Sequence, residues 1–364
     1  MGEATKIEWT DHTFNPWRGC SKVHTGCKNC YAETQSKRNH GVLGIWGEQG
    51  TRVVASESMW REPLKWNAVA DAEGVRRRVF CASLADVFED SSGQPRNSNG
   101  DALYVCQRCG KWCWQNDLSP HRCRDGGLTE RVRHGTIDDV RRRLFRLIDA
   151  TPHLDWLLLT KRPGNIQRMW SDCAVEGNRQ PHSDGRNNVW IGTSISDQET
   201  ADKAVPELLA CRDLAPVLFL SAEPLVGPID LEDALPSEDQ VAIRRGHPCE
   251  FDWVIVGGES GAKARPCRPE WARSLVRQCQ LFEVPVFVKQ MGANVITRND
   301  AIEDEFNNGV SGWPDPQVQH DIHGFREEFQ GADCRIRLRD RKGGNPDEWP
   351  QDLRVRLFPE VRSE

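Results

Sequence analysis

Six short apolar runs recur along the chain, and polar residues follow each one. They are Arg78–Ser83 (RVFCAS), Trp156–Thr160 (WLLLT), Val189–Ser194 (VWIGTS), Val217–Ser221 (VLFLS), Trp253–Gly257 (WVIVG) and Val284–Lys289 (VPVFVK). The runs are continuous rather than alternating in polarity, the pattern of strands covered on both faces by helices. Helical signals lie between them at Ile137–Ala150, Asp197–Cys211 and Pro269–Leu281. Repeated strand–helix alternation predicts right-handed βαβ units and an α/β fold with a parallel sheet or barrel.

The residues that follow the runs are chemically useful. They include Ser83 and Asp86; Lys161 and Arg162; Thr193, Ser194 and Ser196; Glu223; Gly257, Gly258, Glu259 and Ser260; Lys289 and Gln290. In a parallel barrel the C-terminal strand ends form one face, and chemistry sits there. Any single member also reads as a strand exit or a cap for the next helix. The series as a whole favours a site, because a scaffold has no need to gather Lys, Glu and Ser on one face. Lys161, Arg162 and Lys289 are expected to line its mouth and neutralise a phosphate or carboxylate. Gly257 and Gly258 let the backbone approach a ligand, although their spacing matches neither nucleotide fingerprint.

Near the N-terminus, Cys20–Glu33 reads CSKVHTGCKNCYAE and places three cysteines at C-x6-C-x2-C. Three thiolates on one short loop can converge on a single metal centre. Structural zinc is usually closed by four protein ligands, whereas three leave one position open, as on an iron–sulfur cluster with one iron unligated by cysteine. His24 supplies the alternative, a zinc knuckle of Cys20, His24, Cys27 and Cys30, and spacing alone leaves both open.

Bulk properties narrow the classes. A net charge of −6 excludes an overall basic field for nucleic acid, although a local basic groove remains compatible with 48 Lys and Arg. No run of 18 apolar residues exists and MGEATKIEWTDH lacks a signal-peptide core, so a soluble, cytoplasmic protein without membrane contact is expected. Fourteen cysteines, seven of them in two short segments, then argue for metal ligation and free thiols rather than disulfides.

The core is expected in 1–89 and 134–298, interrupted by an inserted segment at 90–133 and followed by a cap at 299–364 with a Gly-Gly-Asn-Pro turn at 343–346. The insertion offers Cys106-x2-Cys109 and His121-x-Cys123, a closed Cys3His set suited to structural zinc, with Cys113 as a spare. Its apolar content is small, so metal would supply much of its folding free energy. The competing reading is a set of reduced surface thiols.

An N-terminal three-cysteine loop followed by strand–helix repeats resembles the radical S-adenosylmethionine (SAM) superfamily, whose most familiar spacing is C-x3-C-x2-C. A closer resemblance spans nearly the whole chain. TFNPWRGCSKVHTGCKNCYAE, WLLLTKRP, VWIGTSIS, LSAEPLVGPID, DWVIVGGESG, VFVKQMG and GGNPDEWPQDLRVRLFP resemble, in order, the phage-associated family named after gene products 37 and 68. That family is described by its three-cysteine motif and is often found beside a gene for a three-Cys-motif partner protein.

The resemblance implies a partial or complete (β/α) barrel. Cys20, Cys27 and Cys30 would hold a [4Fe–4S] cluster whose fourth iron is chelated by SAM, with an electron donor such as flavodoxin or ferredoxin. Ser83 and Asp86 would bind the methionyl amine, Thr193 and Ser194 the ribose, and Gly257, Gly258 and Glu259 would complete the cofactor site. Glu223, Lys161 and Lys289 would act on the substrate, which the resemblance leaves open among a nucleotide, a nucleic acid and a peptide. The alternative is a non-catalytic binding protein stapled by two Cys/His zinc sites.

Overall fold

A computed structural model describes residues 5, 7–117, 121–122, 128–129, 132–171, 185–236, 249–298 and 333–360. Its main sheet has seven strands: β1 (His12–Phe14), β2 (Arg77–Cys81), β3 (Leu154–Thr160), β4 (Val189–Ile195), β5 (Val217–Ala222), β6 (Trp253–Gly257) and β7 (Val286–Gln290). All six apolar runs are strands, and β1, only three residues long, is the addition. The strands neighbour one another in chain order. A doubly wound sheet reverses its order at a switch point; here no reversal occurs, and the mixed α/β fold is compatible with a partial barrel.

Neighbouring strands pair in parallel: His12 pairs with Val79, Trp156 with Val79, Leu220 with Val254, and Ile255 with Phe287. Every residue of β4, β5 and β6 is buried. That explains their continuous apolar character, since each buried Val, Leu or Ile contributes about 1.5–3 kcal/mol.

Four helices match local signals. α1 (Glu57–Glu73) ends at Gly74, whose φ of 64° is the left-handed cap that glycine adopts without strain. α2 (Ile137–Asp149) starts with a capping box between Thr136 and Asp139 and buries Ile137, Val140, Leu144 and Ile148 at helical spacing. α3 (Gln198–Leu209) starts with a second box between Asp197 and Thr200. α4 (Pro269–Leu281) has proline in its first turn, where no backbone N–H is needed. Among the described residues, no helix is long and apolar enough to cross a membrane.

The chain divides into two compact units, Met1–Val23 with Ala32–Trp190, and His24–Tyr31 with Ile191–Glu364. The first contains β1–β3, α1, α2 and the inserted segment. There, Leu103–Cys106 pairs antiparallel with both Trp112–Trp114 and Val132–His134, and His121–Arg122 pairs with Leu128–Thr129. Arg143 fixes this small sheet to the helices. Its guanidinium lies 4.5 Å from the Trp60 ring centroid and 4.6 Å from that of Trp112, and Glu57 holds it by two bonds of 2.7 Å.

In the second unit the C-terminal chain covers the free edge of β7. Val288 N–H donates to Val355 O at 2.8 Å, and Leu357 N–H to Val286 O at 2.9 Å. The Gly-Gly-Asn-Pro turn packs on the exit of β7, where a Cβ on Gly343 would lie 2.6 Å from Gly292 O. The cap also contains Asp333–Ile336, paired antiparallel with Val295–Arg298.

Candidate functional site

In the first unit, the residues that follow the parallel strands β1, β2 and β3 are stitched together by their side chains. After β1, Asn15 is buried, donates to Ser83 Oγ at 3.1 Å and accepts from Leu84 N–H at 2.7 Å. After β2 comes Asp86, buried, with both carboxylate oxygens engaged. One accepts from Phe88 N–H (3.0 Å) and Thr160 Oγ1 (2.7 Å); the other accepts from Lys161 N–H (3.0 Å) and Arg162 Nη1 (2.9 Å). Four donors fill the roughly four acceptor sites of a carboxylate. Asp86, expected at a methionyl amine, is here the anchor of the turn that follows β3.

That turn delivers Arg162 to the cysteine loop. Its side chain is only 10% exposed. Nη1 donates to Cys20 Sγ at 3.7 Å, and Nη2 donates to Ser21 O and Ser21 Oγ at 2.9 Å each. Ser21 is also held through its N–H (2.8 Å) and hydroxyl (2.9 Å) by Glu89, which is fully buried and gripped by Arg52 at 2.7 and 2.8 Å. Burial pushes the Cys20 thiol up to about 12; Glu89 and Asp86 add to that push and Arg162 opposes it. A thiolate at Cys20 therefore needs a further positive centre beside it, which a bound metal supplies. Burial works against the Arg162 charge, but Asp86, Cys20 and Glu89 outweigh it and hold the guanidinium protonated.

In the second unit, residues 24–31 of the same loop are pinned by other strand exits. His24 caps a single turn, Thr25–Cys27, by accepting from Gly26 N–H through Nδ1 at 2.9 Å. Thr25 Oγ1 donates to Asp197, just after β4, at 2.8 Å. Asn29 Nδ2 donates to Glu259, just after β6, at 2.9 Å and to Lys263 O at 2.8 Å. Arg265 in turn donates to Glu259 through N–H, Nε and Nη2 (2.8, 3.0 and 2.7 Å) and to Thr25 O at 2.9 Å. Burial pushes the Glu259 carboxyl up, yet the Arg265 and Asn29 bonds together hold it below the usual range. Gly26 lies so close to β4's exit that a Cβ there would sit 2.5 Å from Ser196 Oγ, a buried hydroxyl without a hydrogen-bond partner among the described residues. Cys27 is buried and Cys30 half-buried.

The strand exits of β5, β6 and β7 form a second grouping in this unit. Lys289 Nζ lies 2.6 Å from Glu223 Oε1, and Gln290 Nε2 donates to the same oxygen at 3.3 Å and to Gly258 O at 2.8 Å. A Cβ on Gly257 would lie 3.4 Å from the Glu223 side chain, and one on Gly258 would lie 2.1 Å from Met291 O. The Glu223–Lys289 pair is about a fifth to a quarter exposed, so a ligand can reach it.

The structure thus brings Asp86, Arg162 and Cys20 together, and Glu223, Lys289, Gly257 and Gly258 together. Thr193 and Ser194 are buried within β4. Lys161 is half-buried, with its backbone N–H on Asp86. Sequence reasoning missed Glu89, Arg52, Asn29 and Arg265. The Asp86–Glu89 spacing after a strand was a usable signal, while nothing near Arg52 or Arg265 announces a distant partner.

In the insertion, Gly110 has φ of 69°, and Arg108 N–H donates to Cys106 Sγ at 3.4 Å, the turn expected of a metal knuckle. Cys113 pairs opposite Tyr104 and so shares a sheet face with Cys106. Cys123 and the His121 side chain lie outside the described residues. Among the described residues, no three or more His, Cys, Asp or Glu side chains are placed to hold one metal ion. A cavity lined by Thr10, Asp11, His12, Trp66 and Arg77 lies at the N-terminal ends of β1 and β2 and touches none of the residues above.

No curated protein and no solved structure matches the chain. Residues 4–115 and 128–333, most of its length, match the family described as "Protein of unknown function (DUF5131)", and the protein belongs to that family.

Proposed function

We propose that this protein is a radical SAM-like iron–sulfur enzyme, with Cys20, Cys27 and Cys30 as cluster ligands, acting on a nucleotide, nucleic acid or peptide. In this reading it is of the kind that the phage gene product 37 and 68 family resembles. The observation that carries the proposal is the His24 ring. Its Nδ1 accepts from Gly26 N–H, so the neutral imidazole bears its proton on Nε2 and has no lone pair left for a metal. That disfavours the four-ligand zinc knuckle and leaves three thiols. The loop is also anchored, within each unit, on residues that follow sheet strands, the edge where (β/α) barrels do chemistry.

The donor types on the loop, three free thiols, are those this reading requires. Gly26 keeps the loop backbone against β4's exit, and the Ser196 hydroxyl beside it has no hydrogen-bond partner among the described residues. A cluster and SAM bound there supply one-electron cleavage of a sulfonium carbon–sulfur bond and hydrogen abstraction from a substrate. The chain's own contribution is to hold the loop and bind the ligand. Arg162–Glu89 and Arg265–Glu259 fix its two halves. Lys289 and Gln290 orient Glu223 as an acceptor for a ribose diol or a substrate N–H, and the Lys289 ammonium offsets an anion. A flavodoxin- or ferredoxin-type donor and a three-Cys-motif protein are the partners implied. The insertion is assigned a structural zinc, supported by the Cys106 knuckle.

Anaerobic purification with iron, sulfide and zinc analysis tests the proposal. About four irons per chain, abolished by Cys27→Ala and unaffected by His24→Ala, are expected. Zinc at the loop with no iron would sink the enzyme reading and leave a metal-stapled binding protein.

A further inference from the structure

We propose that Arg162 is a positioning residue for the iron–sulfur centre, hydrogen-bonded to the Cys20 ligand sulfur and setting the reduction potential, rather than a surface cation for substrate. This rests on the three-cysteine reading above.

The sequence offers Arg162 as a cation at the mouth of a site, in a Lys-Arg-Pro turn after a strand. The structure leaves its side chain only 10% exposed and gives both terminal nitrogens of the guanidinium partners. Nη1 divides between Asp86 (2.9 Å) and Cys20 Sγ (3.7 Å), and Nη2 takes Ser21 O and Oγ, with Glu89 at 3.5 Å. The turn beneath it is equally constrained, because Thr160 Oγ1 accepts from Arg162 N–H at 2.9 Å while donating to Asp86. A guanidinium so enclosed cannot swing out to a phosphate without abandoning two buried carboxylates.

What it can do is act on the sulfur. An N–H···S bond from a cation withdraws charge from a ligand thiolate and favours the reduced, more negative form of a cluster, which raises its potential. Lysine is a poor substitute, since one ammonium cannot span Asp86, Ser21 and Cys20 in the planar fork that arginine presents. Asp86 and Glu89 therefore aim the arginine, and the arginine acts on Cys20.

The test is a redox titration of the full-length, anaerobically reconstituted protein, read by electron paramagnetic resonance with dithionite as reductant. At a fixed poise, Arg162→Gln is expected to lower the reduced-to-oxidised ratio at least tenfold, about 59 mV for one electron, with iron content retained. Arg162→Lys should shift the same way by less. An iron-loaded Gln variant with the wild-type potential overturns the inference and leaves the three-cysteine reading standing. Wild-type protein without iron overturns both. Because the Gln variant disturbs a buried network and can fail to fold, a second measurement uses wild-type protein grown on 15N-arginine. The reduced cluster, without SAM, should show a 15N hyperfine coupling in pulsed spectra, and its absence would refute the contact.

Discussion

Replacing Glu89 by Gln keeps the shape of a buried side chain and removes only its charge. In the folded protein Glu89 Oε1 accepts from Ser21 N–H, Ser21 Oγ and Arg52 Nη2, and Oε2 accepts from Arg52 Nε. A glutamine can satisfy one oxygen site but must turn an NH2 toward the other, placing a donor against a donor. Arg52 is 1% exposed, so its guanidinium cannot recover the lost pair from water. Breaking one side of a buried pair costs about 3–5 kcal/mol, against about 0–1 kcal/mol for a surface pair. At about 2–4 °C per kcal/mol for a domain of this size, the melting temperature should fall by about 10 °C. Urea unfolding followed by tryptophan fluorescence would measure it, with an unchanged slope showing that the unfolded state is unaltered. Arg52→Met with Glu89→Leu should be less destabilised than Glu89→Gln, because no orphaned partner remains between them. A loss below about 1 kcal/mol in Glu89→Gln would mean that the network contributes no more than a surface pair, and the argument would be wrong.

Three further expectations concern other parts of the molecule. Gly26→Ala should destabilise by about 1–3 kcal/mol through overpacking against Ser196 and the His24 ring, and adding Ser196→Ala should restore part of it; equal melting of single and double variants would refute the Ser196 contact. Asp139 is pushed up by burial, but two Arg133 bonds and the Thr136 cap hold it below its usual range. Its contribution is present above the unfolded carboxylate value, near 3.8, and is lost as pH falls through the lower folded value. Denaturation of Asp139→Asn should accordingly be flatter with pH in the acid range, and parallel curves for variant and wild type would count against it. Glu223→Gln should melt within about 1 kcal/mol of wild type, since the Lys289 pair is partly exposed, yet bind SAM or substrate at least tenfold more weakly by calorimetry; wild-type affinity would remove Glu223 from the site.

Much of the fold was legible because its signals are local. Continuous apolar runs such as VWIGTS and VLFLS mark strands buried on both faces, and Asp197–Thr200 announces the start of α3 within four residues. β1 was not legible, as three residues carry no periodicity. The polar strand exits were visible as a series, but their division of labour was not. Asp86 and Glu259 look like ligand-binding carboxylates in the sequence, and in the structure each is filled by protein donors that hold the cysteine loop.

The chain's own residues determined the strand–helix rhythm, the helix caps and the three-thiol loop, because each depends on neighbours a few positions apart. Only the tertiary structure decided which acid meets which arginine. Arg52 and Glu89 are 37 residues apart, Arg162 and Asp86 76, and Arg162 and Cys20 142. Charge alone does not distinguish one arginine from the other 47 Lys and Arg side chains. What selects the partner is the parallel stacking of strands, which sets the residues after β1, β2 and β3 side by side and buries them where an unpaired charge is too costly to persist.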